Sequence, residues 1–234
     1  MSETPVPRCF GLVPCAGIGT RSGAAMPKQY VQIAGQAMVA HTLAALRKVS
    51  RLEATLVVLS PDDQRFEAAV PGFSGPHCRV ARCGGATRAE TVARGLDVLV
   101  AQGALPYDWV LVHDAARCLV RPQWVDRLID ACWNDPVGGL LALPLADTLK
   151  QERAGRVAAT LDRDGKWAAQ TPQMFRLGLV REAIAKAVPG VTDEAGAVEA
   201  LGHSPCLVPG DIANFKLTYP GDFELAQRLL ESSA

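Results

Sequence analysis

The sequence has no net charge, because 24 Lys and Arg side chains balance 24 Asp and Glu side chains. Proteins whose whole surface binds nucleic acid or anionic lipid are usually strongly basic, so the balance disfavours that class, although it is compatible with a local basic cleft. The composition, 49% hydrophobic and 21% charged over 234 residues, also excludes a disordered chain. A chain of this length can bury a full core, and we expect an ordinary globular protein.

Long apolar runs and paired cysteines are lacking as well. No run of about 18 apolar residues occurs, so no membrane-spanning helix is predicted. The seven cysteines are odd in number, scattered and without a C-x-x-C pair, which indicates neither a zinc site nor a disulfide framework. Residues 1–7 do not show the charged and apolar regions of a secretory signal. We therefore expect free, mostly buried thiols and a reducing, cytoplasmic location.

Short apolar runs alternate with segments of helical periodicity along most of the chain. They predict buried strands at 9–13, 54–59, 109–113 and 139–143, and helices at 37–49, 87–99, 124–133, 177–187, 193–201 and from 220 onward. Such alternation implies right-handed crossovers and a mainly parallel sheet with helices on both faces. The economical prediction is one α/β domain over residues 1–234.

Residues 145–168 depart from that pattern. Two short and partly polar segments, Thr148 to Gln151 and Arg156 to Leu161, flank a turn-like stretch at 152–155. This arrangement predicts a β-hairpin arm that stands off the main sheet. Because a lone hairpin buries little surface, we expect the arm to pack against something else, such as a second subunit.

The segment VPCAGIGTRSGAAMPKQY, residues 13–30, directly follows the first predicted strand. It therefore lies at the carboxyl edge of a parallel sheet, where open α/β folds bind ligands. Gly17 and Gly19 permit close backbone approach, and free amides there can form an anion cradle. Arg21 and Lys28 add two cations, so phosphate or a nucleotide is the predicted ligand, with a simple glycine turn as the alternative.

Two better-known glycine motifs do not match this segment. The P-loop string G-x-x-x-x-G-K-[ST] is absent, and Ser22 stands where the dinucleotide fingerprint G-x-G-x-x-G requires its third glycine. No acidic residue ends the second strand at the distance expected for a ribose contact, since Asp62 comes too late. A nicotinamide-dependent oxidoreductase is therefore a weak alternative.

A second cluster, VHDAAR, ends the strand predicted at 109–113. Asp114 there points toward the same edge of the sheet, where it would hold Mg²⁺ or accept hydrogen bonds from sugar hydroxyls. An equally weighted alternative makes Asp114 a helix N-cap before Ala115. His113 is expected to be a structural residue at the strand end rather than a general base.

Later in the chain, Lys216 interrupts the apolar neighbours Phe215 and Leu217. A cation in that position should either face solvent or point into a site. Asp193 and Glu194 are adjacent carboxylates at the start of a predicted helix, and we expect them to be partners of the helix dipole rather than an acid/base pair.

The motifs VPCAGIGTR, PKQY, GGATRAETV, VHDAAR, DTLK, DRDGKWAAQTPQMF, TDEA and NFKLT occur together in this order. With them the chain closely resembles the 2-C-methyl-D-erythritol 4-phosphate cytidylyltransferases, the CTP-using enzymes of the non-mevalonate isoprenoid pathway, from Leu12 to about Leu229. The first motif also suits sugar-nucleotide and molybdopterin nucleotidyltransferases, whereas the run from Asp162 to Phe175 is much more specific. A ribitol 5-phosphate cytidylyltransferase would look much the same around the nucleotide.

The resemblance implies a Rossmann-like nucleotidyltransferase fold, a homodimer joined through the arm, Mg²⁺ as the cation that accompanies CTP, and 2-C-methyl-D-erythritol 4-phosphate as the acceptor. The catalytic cations that it implies are Arg21, Lys28, Arg163 and Lys216. The implied CTP contacts are Pro14, Cys15, Ala16, Gly17, Ile18, Gly19, Thr20, Gly84, Gly85, Thr91, Asp114 and Ala115. The implied acceptor contacts are Asp114, Arg117, Thr148, Arg163, Thr171 and Lys216, with Thr148 and Arg163 supplied by the other subunit and Asp114 also placed beside the metal.

Three positions depart from the family pattern. Ala86 stands where many members carry an acid beside the cytosine, which removes a side-chain contact there but leaves backbone contacts. Cys15 replaces a usual alanine in the glycine-rich loop, and Cys118 follows Arg117 where proline is common. None of these changes removes a cation.

Overall fold

The structure, a computed structural model, describes residues 6–17, 26–187 and 190–232. Strands and helices alternate through most of these segments. The strands are β1 (Cys9–Cys15), β2 (Gln32–Ile33), β3 (Gln36–Ala37), β4 (Ala54–Leu59), β5 (Cys78–Arg82), β6 (Trp109–Val112), β7 (Gly138–Pro144), β8 (Leu149–Arg153), β9 (Arg156–Leu161), β10 (Trp167–Arg176) and β11 (Cys206–Pro209). The α-helices are α1 (Met38–Arg47), α2 (Phe66–Ala69), α3 (Arg88–Ala101), α4 (Pro122–Cys132), α5 (Leu177–Lys186), α6 (Glu194–Ala200) and α7 (Pro220–Glu231).

Seven strands form one central sheet in the order β11-β7-β10-β6-β1-β4-β5. β1 pairs in parallel with β4 and β6, β4 with β5, and β7 with β11. β10 is the exception, because it runs antiparallel between β6 and β7. The predicted mainly parallel α/β sheet is therefore confirmed.

Side chains of the sheet alternate between two buried clusters, one on each face. Val13, Val57 and Leu111 pack with α1 and α4 on one face. Their chain neighbours Leu12 and Leu56 pack with α3, α5 and α6 on the other. Because both faces are covered by helices, the central strands are nearly continuous apolar runs, which is the pattern that made them recognisable.

A third, smaller cluster lies beneath the loops beyond the sheet. Helix α7 contributes Ala226, which packs with Met38 at the start of α1 and with Leu217 of the loop before α7. The backbone N–H of Leu217 donates to the carbonyl oxygen of Ala116, 2.9 Å away. These contacts fix the loop around Lys216 against the turn that follows β6.

Strands β8 and β9 form the predicted hairpin arm, which continues outward from the paired ends of β7 and β10. The turn at its tip uses Ala154 and Gly155, both with positive φ, 51° and 77°. Val157 is 65% exposed on this arm, so the hairpin leaves apolar surface uncovered within one chain.

The predicted boundaries differ from the observed ones by a few residues at most where an element was predicted. Strand β4 was predicted to the residue, and β1 extends through Pro14 to Cys15. Three strands of the central sheet, β5, β10 and β11, were not predicted.

All seven cysteines are free, four of them buried, as expected. Burial raises the pKa of Cys118 to about 12 and that of Cys15 further, so these thiols stay protonated. In the described part of the chain, no helix has the length and apolar character needed to cross a bilayer.

Candidate active site

A crevice of about 290 Å³ opens at the carboxyl ends of β1, β5 and β6. The glycine-rich segment after β1 forms one wall, and the loop between β5 and α3 forms another. The turn after β6 and the loop before α7 complete it. The described residues that line it are Pro14–Gly17, Lys28, Gln29, Met38, Gly85–Arg88, Thr91, Asp114–Ala116, Lys216 and Thr218. The crevice lies at the sheet edge where the sequence predicted a ligand site.

Residues 14–17 of the glycine-rich segment face this crevice. A Cβ at Gly17 would meet no atom of the described residues within 4 Å, so the glycine leaves room for a close approach to the backbone. The side-chain amide of Gln29 donates to the carbonyl oxygen of Cys15 at 3.2 Å and holds the end of β1 in place. The predicted contacts Ile18, Gly19, Thr20 and Arg21 lie outside the described residues.

Two lysines reach the crevice from different parts of the chain. Lys28 lies in a 3-10 turn (Lys28–Tyr30), and its Nζ donates to the carbonyl oxygen of Leu217 at 3.1 Å. Lys216 Nζ lies 2.7 Å from Asp114 Oδ2, so this cation points into the site, which is one of the two outcomes that its apolar neighbours predicted.

Asp114 is buried at the bottom of the crevice and carries two cationic partners. Its Oδ1 accepts from Arg88 Nε at 2.8 Å, and its Oδ2 pairs with Lys216. Burial alone raises the pKa of this carboxyl, but the charges of Arg88 and Lys216 outweigh burial and hold the pKa well below its usual range. No helix begins at Ala115, where the described chain forms a turn, so the N-cap alternative for Asp114 is wrong.

Arg88 and Glu194 were not predicted as site residues. Arg88 is the first residue of α3, and Glu194 is the first residue of α6. The guanidinium donates from Nη1 and Nη2 to the two carboxylate oxygens of Glu194, at 2.7 and 3.0 Å. Asp193 is the N-cap of α6 and accepts from Gly196 N, at the helix end where a dipole partner was predicted. Glu194 points inward and pairs with Arg88, a contact that was not predicted.

His113 is fully buried behind Asp114, as expected of a structural residue. The hydroxyl of Thr171 accepts from the backbone N–H of Asp114 at 3.0 Å, so its proton is directed to His113 Nδ1 at 3.1 Å. The other ring nitrogen, Nε2, then donates to the carbonyl oxygen of Arg117 at 3.2 Å. Burial lowers the pKa of His113 to about 4, so the ring is neutral at neutral pH and serves to fix the turn that carries Asp114.

The loop between β5 and α3 is held by side chains of α3 itself. The N–H of Gly85 donates to Thr91 Oγ1 at 3.1 Å, and the N–H of Ala86 donates to Glu90 Oε2 at 2.8 Å. The residues Thr87-Arg88-Ala89-Glu90 match the T-x-x-E pattern of a capping box, and Thr87 Oγ1 does accept from Glu90 N. The Glu90 carboxylate, however, binds the amide of Ala86 rather than that of Thr87. With these two amides engaged, the backbone groups that Gly85 and Ala86 can offer to a ligand are their carbonyl oxygens.

Gly84 has a structural role in this loop. A Cβ there would overlap the Cβ of Ala16 and would lie 2.8 Å from the carbonyl oxygen of Leu59. Gly84 N also donates to that same oxygen at 2.8 Å. The glycine therefore lets the loop after β5 pack directly against the segment after β1, although Gly84 itself does not line the crevice.

The other residues that were predicted to contact the acceptor substrate do not line the crevice. Arg117 donates from Nη1 to the carbonyl oxygen of Asn214 at 2.7 Å, which braces the loop that carries Lys216. Thr148 and Arg163 are exposed on the arm, and neither lines the crevice of its own chain. That Thr148, Arg163 and Thr171 contact the acceptor substrate remains a prediction.

The described residues contain no group of three or more His, Cys, Asp or Glu side chains placed to bind a metal ion. Asp114 is the only carboxylate among the described crevice-lining residues. Since each of its oxygens already has a cationic partner, the site can offer a metal ion at most one shared carboxylate. A divalent cation here would have to take most of its oxygen ligands from a bound substrate.

The sheet, the crevice at its carboxyl edge and the cations that converge there define an α/β nucleotidyltransferase. The family model described as IspD, 2-C-methyl-D-erythritol 4-phosphate cytidylyltransferase, matches residues 10–232. The chain belongs to this family of enzymes.

Individual relatives agree with the family assignment. The chain is 52% identical to the 2-C-methyl-D-erythritol 4-phosphate cytidylyltransferase of Paraburkholderia phytofirmans, over 97% of this chain and 98% of that protein. It is 57% identical to the bifunctional enzyme IspD/IspF of Albidiferax ferrireducens over 98% of this chain, but spans only 56% of that longer protein. A crystal structure of 4-diphosphocytidyl-2C-methyl-D-erythritol synthase superimposes with a TM-score of 0.86 at 42% identity, covering 97% of this chain and 100% of that one.

Substitution of Gly17 by alanine should impair nucleotide binding without harming the fold. The added methyl group meets no described protein atom within 4 Å, so it would project into the space through which we expect the ligand to approach the backbone. We expect CTP affinity to fall by about tenfold, or about 1.4 kcal/mol, at unchanged thermal stability.

The matched variant Gly84→Ala should lose about 1–3 kcal/mol of stability instead, because its methyl group overlaps Ala16. Calorimetric titration with CTP and thermal unfolding of both variants measure these effects, and a destabilised Gly17→Ala protein would contradict the assignment.

Stability should fall as the pH drops from about 6.5 to about 4, partly because of His113. The folded state keeps this ring neutral while the unfolded chain takes up a proton, so the folded form binds fewer protons in that window. The contribution is about 3 kcal/mol, fully present above pH 6.5 and lost by about pH 4. Asp114 and Arg117 are the charged groups that face the ring.

The comparison that tests this is the slope of unfolding free energy against pH, measured by denaturant titration of the wild type and of His113→Gln. Because Asp114 and Arg117 are present in both proteins, the difference between the two slopes belongs to His113. Equal slopes in that window would show that the buried ring carries none of the dependence.

Proposed function

We propose that the chain transfers CMP from CTP to 2-C-methyl-D-erythritol 4-phosphate, with release of pyrophosphate and formation of 4-diphosphocytidyl-2-C-methyl-D-erythritol. Family membership supports the reaction, and the crevice supplies the groups that it needs. The observation that carries the proposal is the convergence of Lys28 and Lys216 beside the open backbone of Gly17 and the buried carboxylate of Asp114.

The reaction requires no nucleophile from the protein. A phosphate oxygen of the acceptor attacks the α-phosphorus of CTP in line, a new P–O bond forms, and the bond to the pyrophosphate oxygen breaks. Reactions of this kind depend on positioning and on neutralising negative charge. Lys28 and Lys216 would share the second task with Arg21, and the backbone from Pro14 to Gly17 would lie along the triphosphate.

The loop of Gly85 and Ala86 would bind the base. Because its two amides donate to Thr91 and Glu90, its backbone can offer acceptors, which match the exocyclic amino group of cytosine. A side-chain acid at position 86 is therefore not required for that contact. Asp114 and Ala115 would lie near the ribose, with Arg117, Thr171 and Lys216 toward the acceptor.

Mg²⁺ is proposed as the divalent cation of the reaction. It would be held mainly by the triphosphate oxygens, with Asp114 as the one protein carboxylate in the crevice, and it would neutralise charge on the triphosphate. The protein's own part is to keep Asp114 ionised, since Arg88 and Lys216 depress its pKa.

We also propose that the protein acts as a homodimer, in a reducing cytoplasm that suits its free thiols. Thr148 and Arg163 lie on the exposed arm and do not line the crevice of their own chain. In a dimer joined through the arms, each would reach the site of the partner. The exposed apolar surface of the arm, including Val157, would then be covered.

Replacement of either crevice lysine or of Arg21 should slow turnover strongly while the fold survives. We expect Lys28→Ala, Lys216→Ala and Arg21→Ala each to lower kcat by about 10²–10³-fold, as for other preorganised electrostatic groups. The matched control is Lys186→Ala on α5, where the lysine pairs with exposed Glu182, and it should keep wild-type kcat. Pyrophosphate release from CTP is measured with 2-C-methyl-D-erythritol 4-phosphate and, in parallel, with ribitol 5-phosphate. Faster turnover of ribitol 5-phosphate would overturn the proposed acceptor, and wild-type rates in the lysine variants would overturn the proposed roles.

Mixed dimers should reveal whether two chains share a site. A dimer of one Arg163→Ala chain and one Lys28→Ala chain has one intact crevice facing one intact arm, so about half of the wild-type activity should return. Dimers of Lys28→Ala with Lys216→Ala provide the control, because both changes lie in the crevice and neither site is restored. Differently tagged chains are co-expressed and the heterodimer is purified before assay. Inactivity of verified Arg163→Ala/Lys28→Ala heterodimers would show that each site is built within one chain.

A further inference from the structure

Four charged side chains form a continuous chain of contacts from the protein interior to the crevice. Glu194 pairs with Arg88 through both carboxylate oxygens, Arg88 donates from Nε to Asp114, and Asp114 pairs with Lys216 at 2.7 Å. The Glu194 side chain is 2% exposed and does not line the crevice, whereas Lys216 is 37% exposed and does. The contacts thus connect a buried carboxylate to a cation at the site.

Glu194 is held independently at the start of α6. Gln173 of β10 accepts from Ala195 N at 2.8 Å and donates to Asp193 at 2.8 Å. Both residues that flank Glu194 are thereby fixed to the central sheet. Its carboxylate is consequently presented to Arg88 from a rigid position.

Arg88 depends on this support for its orientation. A guanidinium is planar, so two parallel bonds to Glu194 fix the plane of the group and therefore the direction of its Nε–H. That N–H binds Oδ1 of Asp114 and leaves Oδ2 for Lys216. A change at Glu194 would be transmitted through the guanidinium plane to the carboxylate that holds Lys216.

Stability alone gives little reason for a pair with one fully buried carboxylate. Removing charged groups from water carries a desolvation cost, and apolar replacements of buried ion pairs are often neutral or stabilising. The pair does define one geometry at the crevice, because its partners lie on α3, α6, the turn after β6 and the loop before α7.

We propose that Glu194 is a positioning residue for the cytidylyl transfer, acting through Arg88 and Asp114 to hold the Lys216 ammonium at the reacting phosphates. The proposal rests on the proposed function, in which Lys216 neutralises substrate charge. Glu194 itself touches neither substrate.

The test compares two carboxylate-to-amide variants. Glu194→Gln keeps the shape of the side chain but lacks the second acceptor oxygen for Arg88. Asp108→Asn is its matched control, because Asp108 is 1% exposed, pairs with Arg8 at 2.7 Å and lies before β6, at the end of the strand opposite the crevice. We expect kcat to fall by about 10- to 100-fold in Glu194→Gln, with the KM for CTP changed less than about threefold, and Asp108→Asn to keep wild-type kcat after correction for folded fraction.

A double-mutant cycle separates positioning from destabilisation. If Glu194 acts through Lys216, adding Glu194→Gln to Lys216→Ala should lower kcat by less than about threefold further, since the group being positioned is already gone. A full additional 10- to 100-fold loss, or equal losses in Glu194→Gln and Asp108→Asn, would overturn the proposal. Wild-type turnover of CTP in the same assay shows that the proposed function holds even if Glu194 does not act this way, so the two failures are distinguishable.

Discussion

The site depends on one buried charge, the carboxylate of Asp114 at the end of β6. A charge removed from water must be compensated, and here two cations compensate it, one for each oxygen. Arg88 comes from α3 and Lys216 from the loop before α7, so satisfying a single carboxylate fixes two distant segments against the sheet edge. The backbone of the same residue is fixed as well, through Thr171 and His113.

Much of the fold could be predicted because its central strands are buried on both faces. The continuous apolar run 54–59 has few alternatives and was predicted to the residue. Strand β10 could not be, because it carries Gln170, Thr171 and Gln173 within its length and still lies between two strands. Those polar side chains are buried against partners on α6, the loop of Asn214 and the turn after β6, and such long-range pairing leaves no periodic signal in one sequence.

The site was predicted where its residues departed from their local surroundings. Lys216 could be predicted because it interrupts an apolar run. The glycine-rich segment could be predicted because it follows a buried strand. Glu194 had a sufficient local explanation at a helix start, and its partner Arg88 lies 106 residues away in the sequence. The available signal was the cation itself, since an arginine in the first turn of a helix opposes the dipole and calls for nearby negative charge.

The neutrality of the four-residue cluster is compatible with binding a triphosphate. Arg88 and Lys216 balance Asp114 and Glu194 in number, but the two signs are not mixed in space. The carboxylate side chains are 9% and 2% exposed, whereas the two cations are 27% and 37% exposed. The cations are therefore the more exposed members of the cluster, whereas Asp114 lies at the bottom of the crevice and Glu194 lies behind the guanidinium. An incoming phosphate approaches the cations first. A chain with no net charge can thus present a cationic surface at its site, because position rather than number determines the field that a ligand meets.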